Sequence, residues 1–181
     1  MTRRELFTEE LLSWVGTMEV GGDNRGLAVE RFQRAVDGKA NGEPWCLAFL
    51  WHCILETERK HGKKLGILLP PSILFKTEHC LTMWNKSPKE MRIEKPEPGC
   101  IVVFQAWRGE VPTPFGHVEA IISVRQADKS FTSVGGNTSA GPGVNRNGGG
   151  VHLRQRSMNP AGSMRIKGYL RVWNELFDLD E

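Results

Sequence analysis

The chain has 181 residues, with 39% hydrophobic and 25% charged residues, a composition that excludes a disordered or acidic-tail class. Its 24 basic and 21 acidic residues leave a formal charge of only +3, too small to point to nucleic-acid binding. One domain of this length buries roughly 70% of its unfolded surface and needs neither disulfides nor metal to fold. The longest apolar runs, at 65–69 and 100–104, are far short of a bilayer span. The N-terminus is charged and has no apolar signal core, so synthesis in the cytoplasm is expected, without stable membrane association.

In chain order, Thr2 and Glu5 form a capping box, and the first helix is expected to run to about residue 15. A loop follows at 16–25, with turn chemistry in Gly21-Gly22-Asp23-Asn24. Ala28, Phe32, Ala35 and Val36 recur at helical spacing, with Asp23 or Asn24 as the expected cap. Pro44 suits the first position of a third helix, where its missing N–H is not needed. That helix is apolar almost all round from Trp45 to Leu55, which predicts a buried, central element. Pro70-Pro71 is expected to open a further helix with Leu74, Thr77, Leu81 and Trp84 on one stripe.

After Pro96-Glu97-Pro98-Gly99 the pattern becomes that of strands. These are expected at 101–104, from His117 through Val124, at 131–134, at 151–156 and at 164–173. The proline-rich stretch 111–115 reads as a loop, and 141–150 as a hairpin connection. The expected architecture is a single α+β domain over 1–181, with N-terminal helices packed on a C-terminal antiparallel sheet.

The four cysteines, Cys46, Cys53, Cys80 and Cys100, contain no CxxC pair. Neither His52-Cys53 nor His79-Cys80 matches a zinc spacing, so no metal and no cofactor is expected. Cys53, Cys80 and Cys100 read as small buried hydrophobes. Cys46 differs, because it falls in the first turn of the buried helix. Unpaired N–H groups and the helix dipole there favour a thiolate. His117 follows Gly116 at a strand mouth, and Asn137 follows Gly135-Gly136 at the end of the next strand. Cysteine at a helix start, histidine on a strand and an orienting amide or carboxylate nearby is a thiol-hydrolase arrangement. Glu119 rivals Asn137 as orienter, since it lies two residues beyond His117 on the same strand face.

Three segments together, Glu43-Pro44-Trp45-Cys46-Leu47-Ala48-Phe49, Phe115-Gly116-His117-Val118-Glu119 and Gly135-Gly136-Asn137-Thr138-Ser139, resemble the CHAP domain. This is the cysteine- and histidine-dependent amidohydrolase/peptidase family of the papain-like superfamily, found in phage lysins and bacterial wall hydrolases. The stretches 22–26 and 143–156 are also lysin-like, so the resemblance covers about residues 19–173.

The resemblance implies a papain-like fold, with Cys46 as nucleophile, His117 as base and Asn137 as third member. It implies a peptidoglycan hydrolase that cuts an amide or peptide bond of the stem peptide, acting as a monomer at the wall after release or delivery. A delivered toxin of the same chemistry, a non-catalytic wall-binding module and a basic nucleic-acid-binding domain are the alternatives. Trp45 and Trp107 are expected to line the substrate groove. The acid-free stretch 129–174, with Lys129, Arg146, Arg154, Arg156, Arg165, Lys167 and Arg171, is expected to face wall polymer on the sheet.

Overall fold

The computed structural model describes residues 2–66, 70–141 and 148–174. Among these residues four α-helices, α1 Arg3–Ser13, α2 Leu27–Asp37, α3 Cys46–Leu65 and α4 Cys80–Lys86, precede a six-stranded antiparallel sheet. The strands are β1 Arg92–Ile93, β2 Ile101–Arg108, β3 Val111–Arg125, β4 Ser130–Thr138, β5 Gly150–Ser157 and β6 Met164–Leu170. Their spatial order is β1-β6-β2-β3-β4-β5. The fold is α+β, as the periodicity predicts.

The apolar faces explain the layering. Leu47, Phe49, Leu50 and Ile54 of α3 are fully buried, between α1 and α2 on one side and the sheet on the other. Val118, Ala120 and Val134 meet them from β3 and β4. The other sheet face gathers Val102, Phe104, Ile121, Phe131 and Tyr169 in a second cluster. Alternate strand residues thus serve two cores, because successive side chains point to opposite faces.

The capping box forms as expected: Thr2 Oγ1 accepts from the Glu5 N–H at 3.2 Å and Glu5 Oε2 from the Thr2 N–H at 2.7 Å. Four expectations need correction. The cap of α2 is Gly26 at φ 117°, without a side-chain bond, while Asn24 takes a left-handed turn at φ 56°. Helix α3 begins at Cys46 with Trp45 as N-cap, so Pro44 stands one residue before the cap. Proline there keeps Glu43 extended and lets the helix start only after it.

Third, Pro70-Pro71 opens no helix, and α4 starts only at Cys80. Side chains hold that backbone instead: Ser72 N–H donates to Glu58 Oε1 at 2.6 Å, and Phe75 N–H to Ser87 Oγ at 2.9 Å. Fourth, the proline-rich stretch 111–115 is the first part of strand β3, with Trp107 opposite Pro112. Pairing of β3 with β4 begins only at Ala120 and Val134, so the prolines lie on an edge where no ladder N–H is required. The expected connection at 141–150 falls largely outside the described residues, as do Arg146 and the first part, 143–147, of the lysin-like stretch 143–156.

Candidate active site

The site lies where β3 and β4 part. Residues 117–119 of β3 remain on β2, while 135–138 of β4 turn toward the start of α3. Gly136 makes this approach possible, since a Cβ there would stand 2.7 Å from both Phe49 Cβ and the Trp45 ring. The first turn of α3 thereby enters the gap and brings Cys46 to His117.

Cys46 and His117 lie close enough for each to shift the other's ionisation. The Cys80 thiol, the His117 ring and the Val118 backbone together hold Cys46 well below the ordinary thiol range, against burial. Burial works to lower His117, but its interactions with Cys46 and Glu119 outweigh this and push it up to about 9. Both shifts favour a thiolate–imidazolium pair. His117 Nε2 faces Glu119 Oε1 at 3.2 Å, while Nδ1 has no hydrogen-bond partner among the described residues. The ring also stacks on Phe104, with centroids 6.2 Å apart, which limits its rotation.

Glu119 is itself held from three directions. Its Oε2 accepts from Ser133 Oγ at 2.6 Å and from Arg156 Nε at 2.9 Å, and its Oε1 accepts from Arg156 as well. Burial would raise this carboxyl, but Arg156 and then His117 hold it far below the usual carboxylate range. A two-point guanidinium contact fixes the plane of the carboxylate, and hence the ring that it meets. Gly135 provides the room: a Cβ there would lie 2.7 Å from Glu119 Cγ.

Asn137 does not orient His117. With its carboxamide turned to satisfy both neighbours, its oxygen accepts from the Trp45 N–H at 3.3 Å and its nitrogen donates to the Gly148 carbonyl at 2.6 Å. It therefore serves α3 as a cap supplied from the sheet, in place of the side-chain cap that Trp45 lacks. Asn137 sits at φ 51°, a left-handed conformation that asparagine tolerates. Asn137→Ala is expected to lower stability by about 1 kcal/mol through loss of this cap. The His117–Glu119 contact should survive, so a thermal melt should move more than the pH profile.

Cys46 lines a groove of about 220 Å³ with Glu43, Pro44, Glu78, His79, Cys80 and Pro114 through Gly116. Cys46 is nearly buried at this groove, and His117 is fully covered and not among its lining residues. Size does not select the site, for a larger depression of about 690 Å³ beside Arg4 and Thr8 is lined by neither cysteine nor histidine. Glu43 and Glu78 make the rim acidic, and burial with repulsion from Glu43 raises Glu78 above the ordinary value.

Neither expected groove tryptophan is there. Trp45 is fully buried, stacked on Phe32 and donating to Glu19 Oε1 at 2.8 Å. Trp107 packs under Arg165 on β2 and is not among the groove residues. The exposed aromatic at the groove is Phe115. Arg156 also leaves the expected wall-facing set, because it is buried on Glu119, and Arg171 pairs with Glu97 at 2.8 Å. Among the described residues, no three His, Cys, Asp or Glu side chains converge as a metal site would require.

The CHAP domain family model matches residues 38–137, more than half of the chain, with Cys46, His117 and Glu119 all inside the match. The chain belongs to the CHAP family. No curated protein and no solved structure matches it. The family is one of amidohydrolases and peptidases, which fits a cysteine and a histidine joined at a groove. Within this CHAP domain the matched span contains Glu119 and Ser133, while Arg156 lies beyond it on β5. Arg156, Ser133 and Cys80 were not singled out as site residues from the sequence. The available signal for Arg156 is the carboxylate at 119, which on a buried strand face requires a countercharge.

Proposed function

We propose that this CHAP domain hydrolyses an amide or peptide bond of the peptidoglycan stem peptide through a Cys46 thiolate, in the manner of a phage lysin. The observation that carries the reading is the chain Cys46–His117–Glu119, assembled at a groove from a helix start and one strand. The thiolate attacks the carbonyl carbon, and the N–H of Cys46, free of any intrahelical acceptor, faces the developing oxyanion. His117, as imidazolium, gives its proton to the leaving amine and then takes one from the water that cleaves the thioester. Glu119 keeps the ring aimed at the sulfur. Since the ring is covered, productive binding requires the groove wall at Pro114 to Gly116 to open toward it.

Purified cell wall is the test substrate. The enzyme should release new amines or muropeptides whose masses identify the bond cut. Wall that merely sediments with the protein, without new termini, would favour a binding module instead.

The pH profile is a further expectation. Attack needs Cys46 deprotonated and His117 protonated, so activity should fall on the alkaline side as pH passes about 9. On the acid side it should persist below the ordinary thiol range, because Cys46 stays ionised there. A kcat/KM profile across both limbs checks this; an optimum rising with thiol ionisation at its ordinary pKa would contradict it.

A further inference from the structure

Cys80 is a second sulfur at the nucleophile. Its Sγ lies 3.6 Å from Cys46 Sγ, and both residues line the same groove. Two features of the fold create this meeting. Helix α4 starts at Cys80, and its first residues pack on β3 at Gly116, where a Cβ would stand 3.1 Å from Cys80 Cβ. Any larger residue at 116 would crowd Cys80 and the Phe104 carbonyl. The hydrolytic steps above pass no atom through Cys80.

We propose that Cys46 and Cys80 form a reversible covalent modification site, in which Cys80 resolves the oxidation of Cys46 by a hydroperoxide into a Cys46–Cys80 disulfide. In the first step the Cys46 thiolate attacks one peroxide oxygen. The O–O bond breaks, an S–O bond forms, and hydroxide leaves from Cys46 sulfenic acid. In the second step the Cys80 sulfur loses its proton and attacks the Cys46 sulfur. The S–O bond breaks, and hydroxide departs and is protonated to water. Two thiols are oxidised by two electrons, and one hydrogen peroxide is reduced to two waters. The sulfurs must close from 3.6 Å to the ~2.05 Å of a disulfide, a movement of side-chain size.

The other cysteines are not built for this chemistry. Cys53 is fully buried in the helical core and its thiol is pushed well above the ordinary range. Burial also pushes Cys100 up to about 12. Cys46 is held as the reactive thiolate, which gives a peroxide one preferred target. The product would join two residues that line the groove and remove the nucleophile, while sparing it from irreversible oxidation.

The experiment is peptide mapping of the intact protein after hydrogen peroxide, with and without later dithiothreitol. The expected product is a cross-linked Cys46–Cys80 peptide pair lacking two hydrogens, fully returned to thiols by dithiothreitol. In Cys80→Ser the same treatment should carry Cys46 to sulfinic or sulfonic acid, which dithiothreitol does not reverse. Irreversible Cys46 oxides in the wild type, a link from Cys46 to Cys53 or Cys100, or an unreacted Cys46 would each overturn the proposal. If Cys80→Ser does not fold, the wild-type map decides alone.

Loss of wall hydrolysis on oxidation rests on the proposed hydrolase function, but the mapping does not. A reversible cross-link in a protein that cuts no wall would refute that function and leave the modification site standing.

Discussion

Cys46→Ala is expected to lower turnover on cell wall by roughly 10⁴-fold or more, because the covalent route is lost and only binding and dipoles remain. The fold should be unaffected. Alanine is the best helix former, and it replaces a small, buried side chain at the first position of α3. The same change should release His117 from its partner, lowering the ring's affinity for a proton, since the thiolate is among the groups that raise it. NMR titration of His117 and a wall-release assay check the two effects separately. Turnover within tenfold of the parent enzyme would reject Cys46 as nucleophile.

Glu119→Gln should be the second severe change, through a different physical route. Glutamine matches the volume but not the charge, and Arg156 would then lie buried without its carboxylate. Breaking a buried ion pair from one side costs about 3–5 kcal/mol. Activity should fall by roughly 10²–10⁴-fold, as His117 loses its orienting anion. The alkaline limb should also move below about 9, because Glu119 is one of the groups that hold the proton on His117.

The pH dependence of stability carries the opposite sign. Glu119 is depressed in the folded protein, so its contribution is present above the ordinary carboxylate range. That contribution is lost as pH falls through the folded value. The variant should therefore unfold with a weaker acid dependence than the parent.

A double change separates the two roles. Glu119→Leu with Arg156→Met removes both charges and should recover much of the stability while leaving activity low. Recovery of activity together with stability would mean that the carboxylate only supports the fold.

Much of the site was legible along the chain because its signals are local. Cys46 after Pro44 in a run of apolar residues announces a helix start, and the unpaired N–H groups and dipole of a helix start favour a thiolate. The Gly116-His117-Val118 segment announces a strand mouth in the same way. The choice of orienter was not legible. Asn137 and Glu119 both satisfy the spacing, and the decision depends on which strand edge α3 wedges open. Once it enters beside Gly136, the amide at 137 meets the Trp45 N–H and the carboxylate at 119 meets the ring. Trp45 misleads for a related reason. Its place beside the nucleophile suggests a groove residue, yet the helix turns its ring inward onto Phe32.

By itself the sequence determined the α+β order of elements and singled out Cys46 and His117, since periodicity, proline placement and helix-end electrostatics act over a few neighbouring residues. Only the tertiary structure decided that Glu119 serves His117, that Arg156 and Ser133 hold Glu119, and that Cys80 stands against Cys46. Those contacts join residues up to 37 positions apart, and their partners are selected by strand register and by the room left at Gly116, Gly135 and Gly136, which no local pattern encodes.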